Sequence, residues 1–291
     1  MAPLRLVQIS DFHCTKITWN PFRLFSKRFL GNLNWLLFRK NRFSLEPLNA
    51  LPKLLKSFQI DRILLGGDLT TTSLKEEFSL AASLVKKLPA PWIAIPGNHD
   101  QYTRLAERQK HFYRYFTNKR TIQHKADFFT LKDHGIEAHR LSPHWWIIAL
   151  DTAPATNLYS STGLFSEKQE AFLEEVCSLL PMDASILLFN HYPFFQNDIP
   201  RHNLIRGPVL ENFLRKERRI KAYLHGHSHR HTIANLQPSG LPVILDSGCS
   251  TDREHGSFNV LEIDDQKLTI DVYRWNGQWS LSRKEEIQWT R

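Results

Sequence analysis

The segment WIAIPGNHD, residues 92–100, is the part of the sequence from which the fold can be worked out. Its first four residues form a short apolar run, which predicts a buried strand. Pro96 and Gly97 end this strand, and Asn98, His99 and Asp100 follow directly. A strand end does not require three side chains that can bind metal or transfer protons. We therefore expect this turn to contribute to a chemical site.

The same arrangement recurs along the chain. Apolar, strand-like runs occur at residues 4–9, 63–65, 145–150, 186–189 and 222–224. Each is followed by carboxylate or imidazole side chains, namely Asp11 and His13, Asp68, Asp151, His191, and finally His225, His227 and His229. In an open α/β sheet, ligands bind at the carboxyl ends of the strands, so these residues are expected to converge on one edge. Successive strand ends that supply nitrogen and oxygen ligands predict a metal cluster.

The first of these ends, Asp11-Phe12-His13, has a spacing of two residues. In an extended segment this spacing places both side chains on the same face, where a carboxylate and an imidazole can share one metal ion. Cys14 would then lie on the opposite face, which predicts a packing role for its thiol.

Helical patterns separate the strands. Leucines predict a helix over 46–59, and a second helix over 73–88 is expected to begin with Ser73 as its cap and Glu76 completing a capping box. A third over 166–180 has Ser166 and Gln169 in the same relation, and a basic helix runs to about Arg219. Residues 101–142 predict an aromatic, basic helix followed by a polar loop. Residues 230–289 alternate like strands, with turns at 239–240, 264–265 and 276–277.

Residues 12–45 contain seven basic side chains and no acid. Phe22, Phe25, Phe29 and Leu33 recur at helical spacing on one stripe, with basic and polar residues opposite. This pattern is typical of a helix that lies in a membrane interface. It is equally compatible with a surface insertion whose apolar stripe packs on the protein's own core.

Composition indicates what kind of partner and which cellular compartment to expect. The formal net charge of +9 favours an anionic partner, such as a phosphorylated substrate, nucleic acid or an acidic membrane surface. The three cysteines are widely spaced and indicate a reducing compartment. The first ten residues lack the long apolar core of a signal peptide, and no uninterrupted apolar stretch is long enough for a transmembrane helix. We expect a cytoplasmic protein, with peripheral membrane attachment as an option.

Taken together, the motifs Asp11-x-His13, Gly67-Asp68, Gly97-Asn98-His99-Asp100, His191 and Gly226-His227-x-His229 resemble those of the calcineurin-like metallophosphoesterase superfamily. The resemblance covers residues 4 to about 250 and implies a four-layer α/β/β/α sandwich, in which two packed mixed sheets are flanked by helices. We expect residues 1–291 to form a single domain. Insertions are expected at about 15–45, which is the basic amphipathic one, and at about 101–142.

The resemblance also implies roles for individual residues. Asp11, His13 and His229 would hold one metal ion, Asn98, His191 and His227 the other, and Asp68 would bridge the two. Such a ligand set suits Mn²⁺ first, with Fe or Zn as alternatives. Two cations about 3.5–4 Å apart activate a water as hydroxide and bind the phosphate oxygens, which predicts a metal-dependent phosphodiesterase or pyrophosphatase.

His99 is adjacent to a predicted ligand without being one, so it is expected to act as the general acid that protonates the leaving alkoxide. Asp100 either orients His99 or anchors the turn. Arg201 and Arg206 are weaker candidates for contacts with substrate phosphate.

The substrate is less determined than the reaction. The insertion at 17–43 suggests a small or lipid-linked phosphodiester or pyrophosphate at a membrane surface, and the family includes hydrolases of UDP-2,3-diacylglucosamine. The alternatives are a nuclease or a cyclic-nucleotide phosphodiesterase. Nucleic acid is a less expected partner. Nuclease grooves usually spread basic residues beside stacking aromatics, whereas here the charge is concentrated beside an apolar stripe. A non-enzymatic alternative is a partner-binding module whose 14–45 helix docks in a groove of another protein.

Overall fold

Strands contribute more than half of the buried residues of the two hydrophobic cores. The computed structural model describes residues 3–17, 28, 33, 41–118, 122–157, 159–196 and 198–290. Within these residues, strands β1 to β14 are, in order, Leu4–Ile9, Arg62–Leu65, Trp92–Ala94, Ile136–Arg140, Trp145–Leu150, Gly163–Leu164, Ser185–Phe189, Leu204–Ile205, Ile220–His225, Thr232–Asn235, Val243–Asp246, Ser257–Ile263, Lys267–Trp275 and Trp279–Gln288.

Two six-stranded mixed sheets contain all but two of these strands. The first has the order β14-β13-β12-β1-β2-β3, and the second has the order β10-β11-β9-β7-β5-β4. In the first sheet β1, β2 and β3 are mutually parallel. In the second, β5, β7, β9 and β11 are parallel. The parallel strands of each sheet therefore direct their carboxyl ends to one edge, while β6 and β8 form a separate two-stranded sheet.

Helices cover the outer faces of the sheets. The α-helices α1 to α7 of the described chain are Glu46–Leu55, Lys75–Val85, Arg104–Arg108, His111–Tyr115, Leu131–His134, Glu167–Leu179 and Gly207–Lys216. The apolar sides of α1 and α2 join the core that contains the first sheet. Leu173 and Val176 of α6, and Leu210 and Leu214 of α7, pack in a second core with the outer face of the second sheet. These layers confirm the expected α/β/β/α sandwich.

Strand β5 shows how the sequence produces this layering. All six of its residues are buried. Trp145, Ile147 and Ala149 belong to the core between the sheets, whereas Trp146, Ile148 and Leu150 belong to the core beneath α6 and α7. Because successive strand residues point to opposite faces, a continuously apolar strand is required where both faces are covered.

The start of α2 differs from the prediction. The helix begins at Lys75 with Leu74 as its cap, and Glu77 takes the place expected for Glu76. The Glu77 carboxylate accepts the backbone N–H groups of Thr72, at 2.8 Å, and Leu74, at 3.1 Å. Ser73 has a left-handed φ of 53° and cannot serve as the cap in that conformation. By contrast, Ser166 and Gln169 form the predicted capping box of α6.

Residues 101–142 also differ from the prediction. The expected helix is divided into α3 and α4 by Lys110, which has a φ of 52°. The expected polar loop contains α5 and strand β4, which pairs antiparallel with β5 as an edge strand. Five residues, of which three are buried, are too short a pattern to distinguish such a strand from a loop.

Most of the basic amphipathic segment lies outside the described residues, so the expected interfacial helix over 17–43 stays a prediction. Among the residues that are described, no helix is both long and apolar enough to cross a membrane.

Candidate metal centre

The predicted ligands converge where the two sheets meet. In the first sheet, Asp11 and His13 follow β1, Asp68 follows β2 and Asn98 follows β3. In the second sheet, His191 follows β7, and His227 and His229 follow β9. Among the described residues, two groups of predicted ligands have ligand atoms that all lie within 4.8 Å of one another: Asp11, His13, Asp68 and His229, and Asp68, His191 and His227; a third such group is His13, His229 and Cys249. Asp68 belongs to both of the first two groups. This is the arrangement expected for a carboxylate that bridges two cations.

The backbone reaches this arrangement by turning sharply. Five of the predicted ligands have a left-handed backbone, with φ between 45° and 69°: Asp11, His13, Asp68, His227 and His229. The expectation that Asp11 and His13 share one face of an extended segment is therefore wrong, although both side chains do reach the site. Non-glycine residues are uncommon in this region and persist where surrounding contacts hold them. The amides of Asp11 and His13 provide such contacts by donating to the carbonyls of Gly67, at 3.0 Å, and Asp68, at 2.9 Å.

Buried polar atoms without hydrogen bonds show that a cation fits here. Asn98 Oδ1, His191 Nε2 and Asp11 Oδ1 are inaccessible to solvent and have no hydrogen-bond partner among the described residues. Asp11 Oδ1 does lie 3.2 Å from His229 Nε2, without hydrogen-bond geometry. Leaving such a group unpaired costs about 1–3 kcal/mol. Three of them in one place fit a site whose remaining partners are metal ions.

The imidazole tautomers agree with this fit. The Nδ1–H of His191 donates to the carbonyl of Gly66 at 2.7 Å, which leaves Nε2, 3.5 Å from Asp68 Oδ2, as the nitrogen that faces the site. In His227, Nε2 contacts the carbonyl of His202 at 2.9 Å, so Nδ1 is the atom left for a cation. A carbonyl on the non-ligating nitrogen is the usual way in which proteins orient a metal-binding histidine.

Electrostatics around Asp68 also suit a cation. Burial opposes ionisation of Asp68, but the imidazoles of His191 and His99 hold its pKa well below its usual value. Burial also opposes protonation of His191, yet the Asp68 carboxylate raises the pKa of that histidine to about 9. Burial lowers the pKa of His227 to about 3. The centre therefore combines an ionised Asp68 with a protonated His191 and a neutral His227, and a cation that binds His191 would replace its proton.

In the turn at residues 96–100, the side chains of Asp100 and His99 bind different partners. The Asp100 carboxylate accepts backbone N–H groups of Gly97, Leu69 and Thr70, together with the Thr70 hydroxyl. The ring of His99 is held by another group, since its Nδ1 lies 2.6 Å from the carbonyl oxygen of Thr71. Of the two alternatives left open for Asp100, these contacts favour the turn anchor.

Several residues beside the centre were not found from the sequence. The ring of Phe43 lies 5.3 Å from that of His13 and 5.8 Å from that of His229. Tyr102 stacks on His99 at 5.6 Å with an angle of 12° between the rings. The Cys249 sulfur lies within 4.8 Å of a ring nitrogen of His13 and of His229, and its thiol donates to the Asp11 carbonyl at 3.2 Å. None of the three belongs to a motif, and only folding brings them to the site.

Cys14 is buried, and burial raises the pKa of its thiol, in agreement with the expected packing role. Asp151, at the end of β5, lies outside both groups of ligand atoms. Its carboxylate accepts hydrogen bonds from Gln101 and Tyr113 instead.

The two arginine candidates occupy different surroundings. Arg201 is exposed and precedes His202, whose carbonyl contacts His227, so it lies at the rim of the centre. The Arg206 guanidinium forms ion pairs with Glu167 and Glu170 at the start of α6. Because these carboxylates already neutralise it, the pairing argues against the predicted phosphate contact of Arg206.

Comparison with known proteins adds independent information. The family model described as calcineurin-like phosphoesterase matches residues 4–231. A probable glycerophosphodiester phosphodiesterase from Arcobacter nitrofigilis is 28% identical over 174 residues, 58% of this chain and 57% of that protein. A 3′,5′-cyclic adenosine monophosphate phosphodiesterase from Haemophilus influenzae is 26% identical over 175 residues, 59% of this chain and 56% of that protein. The chain thus matches little more than half the length of these two relatives.

Solved structures support the fold. A dimetal phosphatase from Danio rerio superposes with a TM-score of 0.67 at 12% identity, covering 100% of both chains. A purple acid phosphatase from yellow lupin, Lupinus luteus, gives a TM-score of 0.66 at 11% identity, covering 99% of this chain and 54% of the other.

Proposed function

We propose, given that the chain belongs to the calcineurin-like phosphoesterase family, that it is a metal-dependent hydrolase of phosphodiester or pyrophosphate bonds. The observation that carries the proposal is the pair of ligand groups sharing Asp68. Asp11, His13 and His229 would hold one cation, Asn98, His191 and His227 the other, and Asp68 both. We propose Mn²⁺ as the metal, with Fe or Zn as alternatives, because the set consists of carboxylate, amide and imidazole ligands.

Two cations bound by these residues would supply positive charge for the phosphate oxygens and an activated water as the nucleophile. The protein's own contribution includes the proton for the leaving group. His99 Nδ1 is bound to the Thr71 carbonyl, which orients the ring and leaves Nε2 as the nitrogen that delivers a proton. Its backbone N–H donates to Asp68 Oδ1 at 2.8 Å, so the acid and the shared carboxylate keep a fixed separation.

The names of the relatives support a small phosphodiester as substrate. The two relatives described above are named as phosphodiesterases, one for glycerophosphodiesters and one for cyclic adenosine monophosphate. A phosphodiester of a small molecule is therefore our first substrate class, and a lipid-linked pyrophosphate such as UDP-2,3-diacylglucosamine is a second.

The test of the reaction is a panel of substrates with Mn²⁺-loaded protein: nitrophenyl mono- and diesters, a glycerophosphodiester, cyclic nucleotides, a UDP-linked lipid and single-stranded DNA. We expect turnover of at least one diester or pyrophosphate, and loss of turnover in Asp68→Asn. The exposed Asp183→Asn is the matched control and should retain activity. Failure of the loaded wild-type protein on every substrate would contradict the proposal and favour a partner-binding module.

Membrane attachment is proposed separately, because the basic amphipathic segment at 17–43 motivates it. The test is flotation with vesicles containing phosphatidylglycerol, comparing wild type with a variant in which Phe22, Phe25 and Phe29 are replaced by serine. This variant keeps Arg28 and Phe43, which contact the described part of the chain. We expect wild type to float and the variant to remain at the bottom. Equal flotation of both would contradict attachment through this segment.

A further inference from the structure

Arg28 is buried beside the loop that follows Asp68. The residue is 9% exposed. Nε donates to the carbonyl of Thr72 at 3.0 Å, and Nη2 lies 3.3 Å from the carbonyl of Ser73 and 3.4 Å from the hydroxyl oxygen of Thr103. One guanidinium thus joins two separate segments, residues 72–73 and residue 103.

Both segments hold the ring of His99. The residue before Thr72 is Thr71, whose carbonyl oxygen lies 2.6 Å from His99 Nδ1. The residue before Thr103 is Tyr102, whose ring stacks on the imidazole of His99 at 5.6 Å. The two groups that fix the position of His99 are therefore each one residue away from an atom bound by Arg28.

The segment from 70 to 73 needs such support. Ser73 has a left-handed φ of 53°, which is unfavourable for a residue other than glycine. The hydroxyl of Thr71 also donates to the carbonyl of His13 at 2.9 Å, which is a second contact that holds this segment. A planar guanidinium offers several donors in fixed directions, whereas a lysine ammonium is a single flexible point charge.

We propose that Arg28 is a positioning residue for the general acid, acting on His99 through Thr71 and Tyr102. This inference rests on the proposed function, because it assigns a role in the same reaction. Arg28 does not bind substrate in this proposal, since it is buried and its donors are directed at protein oxygens.

The kinetic test compares Arg28→Met with wild type on one alkyl and one nitrophenyl phosphodiester. Because small displacements of a catalytic group are costly, we expect kcat on the alkyl substrate to fall by about 10-fold or more. KM should change by less than about threefold, and the nitrophenyl substrate, which needs little protonation, should be affected much less. Arg28→Lys keeps the charge without the planar fork and should show a smaller loss of the same kind.

Two comparisons separate positioning from general stabilisation. In a His99→Ala background, Arg28→Met should cause no further loss on the alkyl substrate, because the group it positions is absent. The matched control is Arg219→Met, whose guanidinium likewise binds backbone carbonyls, those of Cys177, Leu180 and Pro181, at the amino end of β9. It should leave both substrates unaffected. Equal losses on both substrates, or the same loss with and without His99, would overturn the proposal.

A spectroscopic measurement keeps the inference testable even if no substrate is turned over. In protein loaded with diamagnetic Zn²⁺, the His99 Nδ1–H bound to Thr71 should give a protected imidazole proton signal, assigned by its absence in His99→Ala. We expect Arg28→Met to lose this signal by exchange and Arg219→Met to retain it. A signal that persists in Arg28→Met would refute the positioning role, whereas inactivity of wild type with the signal intact would refute only the proposed function.

Discussion

His99 is the residue whose role depends most closely on its hydrogen bond. Its Nδ1 is hydrogen-bonded to the carbonyl of Thr71, and its ring contacts the rings of His13 and Tyr102. It supplies no atom to either group of ligand atoms. Its removal should therefore affect proton transfer while leaving the metal ligands in place.

We predict that His99→Ala retains its metal content and loses about 10²–10⁴-fold in kcat on substrates with alkyl leaving groups, the usual contribution of a general acid. Nitrophenyl substrates should lose far less, because their leaving group is stable without a proton. Metal analysis and parallel kinetics on the two substrates check this, with the surface variant His144→Ala as control. Equal losses on both substrates would contradict the acid role.

Asp100 should behave differently from its neighbour. The amide of an Asp100→Asn variant can accept with only one oxygen, so some of the donors from Gly97, Leu69 and Thr70 would be left unpaired in a buried turn. We predict a decrease of about 1–3 kcal/mol in the free energy of unfolding.

Turnover by Asp100→Asn should fall on alkyl and nitrophenyl substrates alike, because Asn98 is displaced together with His99. Urea unfolding and the same two-substrate comparison measure these effects. A selective loss on the alkyl substrate with unchanged stability would instead favour the alternative in which Asp100 orients His99.

At the scale of single elements, α2 shows what a local pattern can and cannot predict. The existence of the helix follows from its apolar periodicity. The carboxylate that caps it, however, is Glu77, which also accepts the backbone N–H of Lys16 at 3.2 Å. That residue is distant in sequence, so the choice between Glu76 and Glu77 depends on a tertiary contact.

We predict that Glu77→Ala lowers the free energy of unfolding by about 2 kcal/mol or more, because several buried N–H groups lose their acceptor. Glu76→Ala, on the exposed side of the same turn, should cost about 0.5 kcal/mol or less. Urea denaturation of both variants measures the difference. Equal destabilisation would indicate that Glu77 is not the effective cap.

At the scale of the whole molecule, the candidate metal centre lies where the two sheets meet. The candidate ligands that follow β1, β2 and β3 belong to one sheet, and those that follow β7 and β9 belong to the other. A cation bound to this set would interact with the folded state and hardly with the unfolded chain. Binding should therefore stabilise the packing of one sheet on the other.

We predict that EDTA lowers the melting temperature and that Mn²⁺ restores it, with a stabilisation of about 2.7 kcal/mol when free metal is 100 times its Kd. Asp68→Asn should respond much more weakly to Mn²⁺, whereas Asp183→Asn should respond like wild type. Calorimetry with and without EDTA is the measurement. A melting temperature independent of metal in wild type would contradict a resident dinuclear site.

By itself, the sequence determined the central strands β1, β2, β3, β5, β7 and β9 and which residues follow them, because apolar runs, Pro96-Gly97 and capping patterns such as Ser166 with Gln169 act over a few neighbouring residues. The predicted ligands could therefore be named in advance. The tertiary structure alone decided the left-handed backbone at Asp11 and His13, the carbonyl of Thr71 as partner of His99, and the place of Arg28 between residues 72–73 and Thr103. These features join segments far apart in the chain, so only the packing of the sheets and loops could produce them.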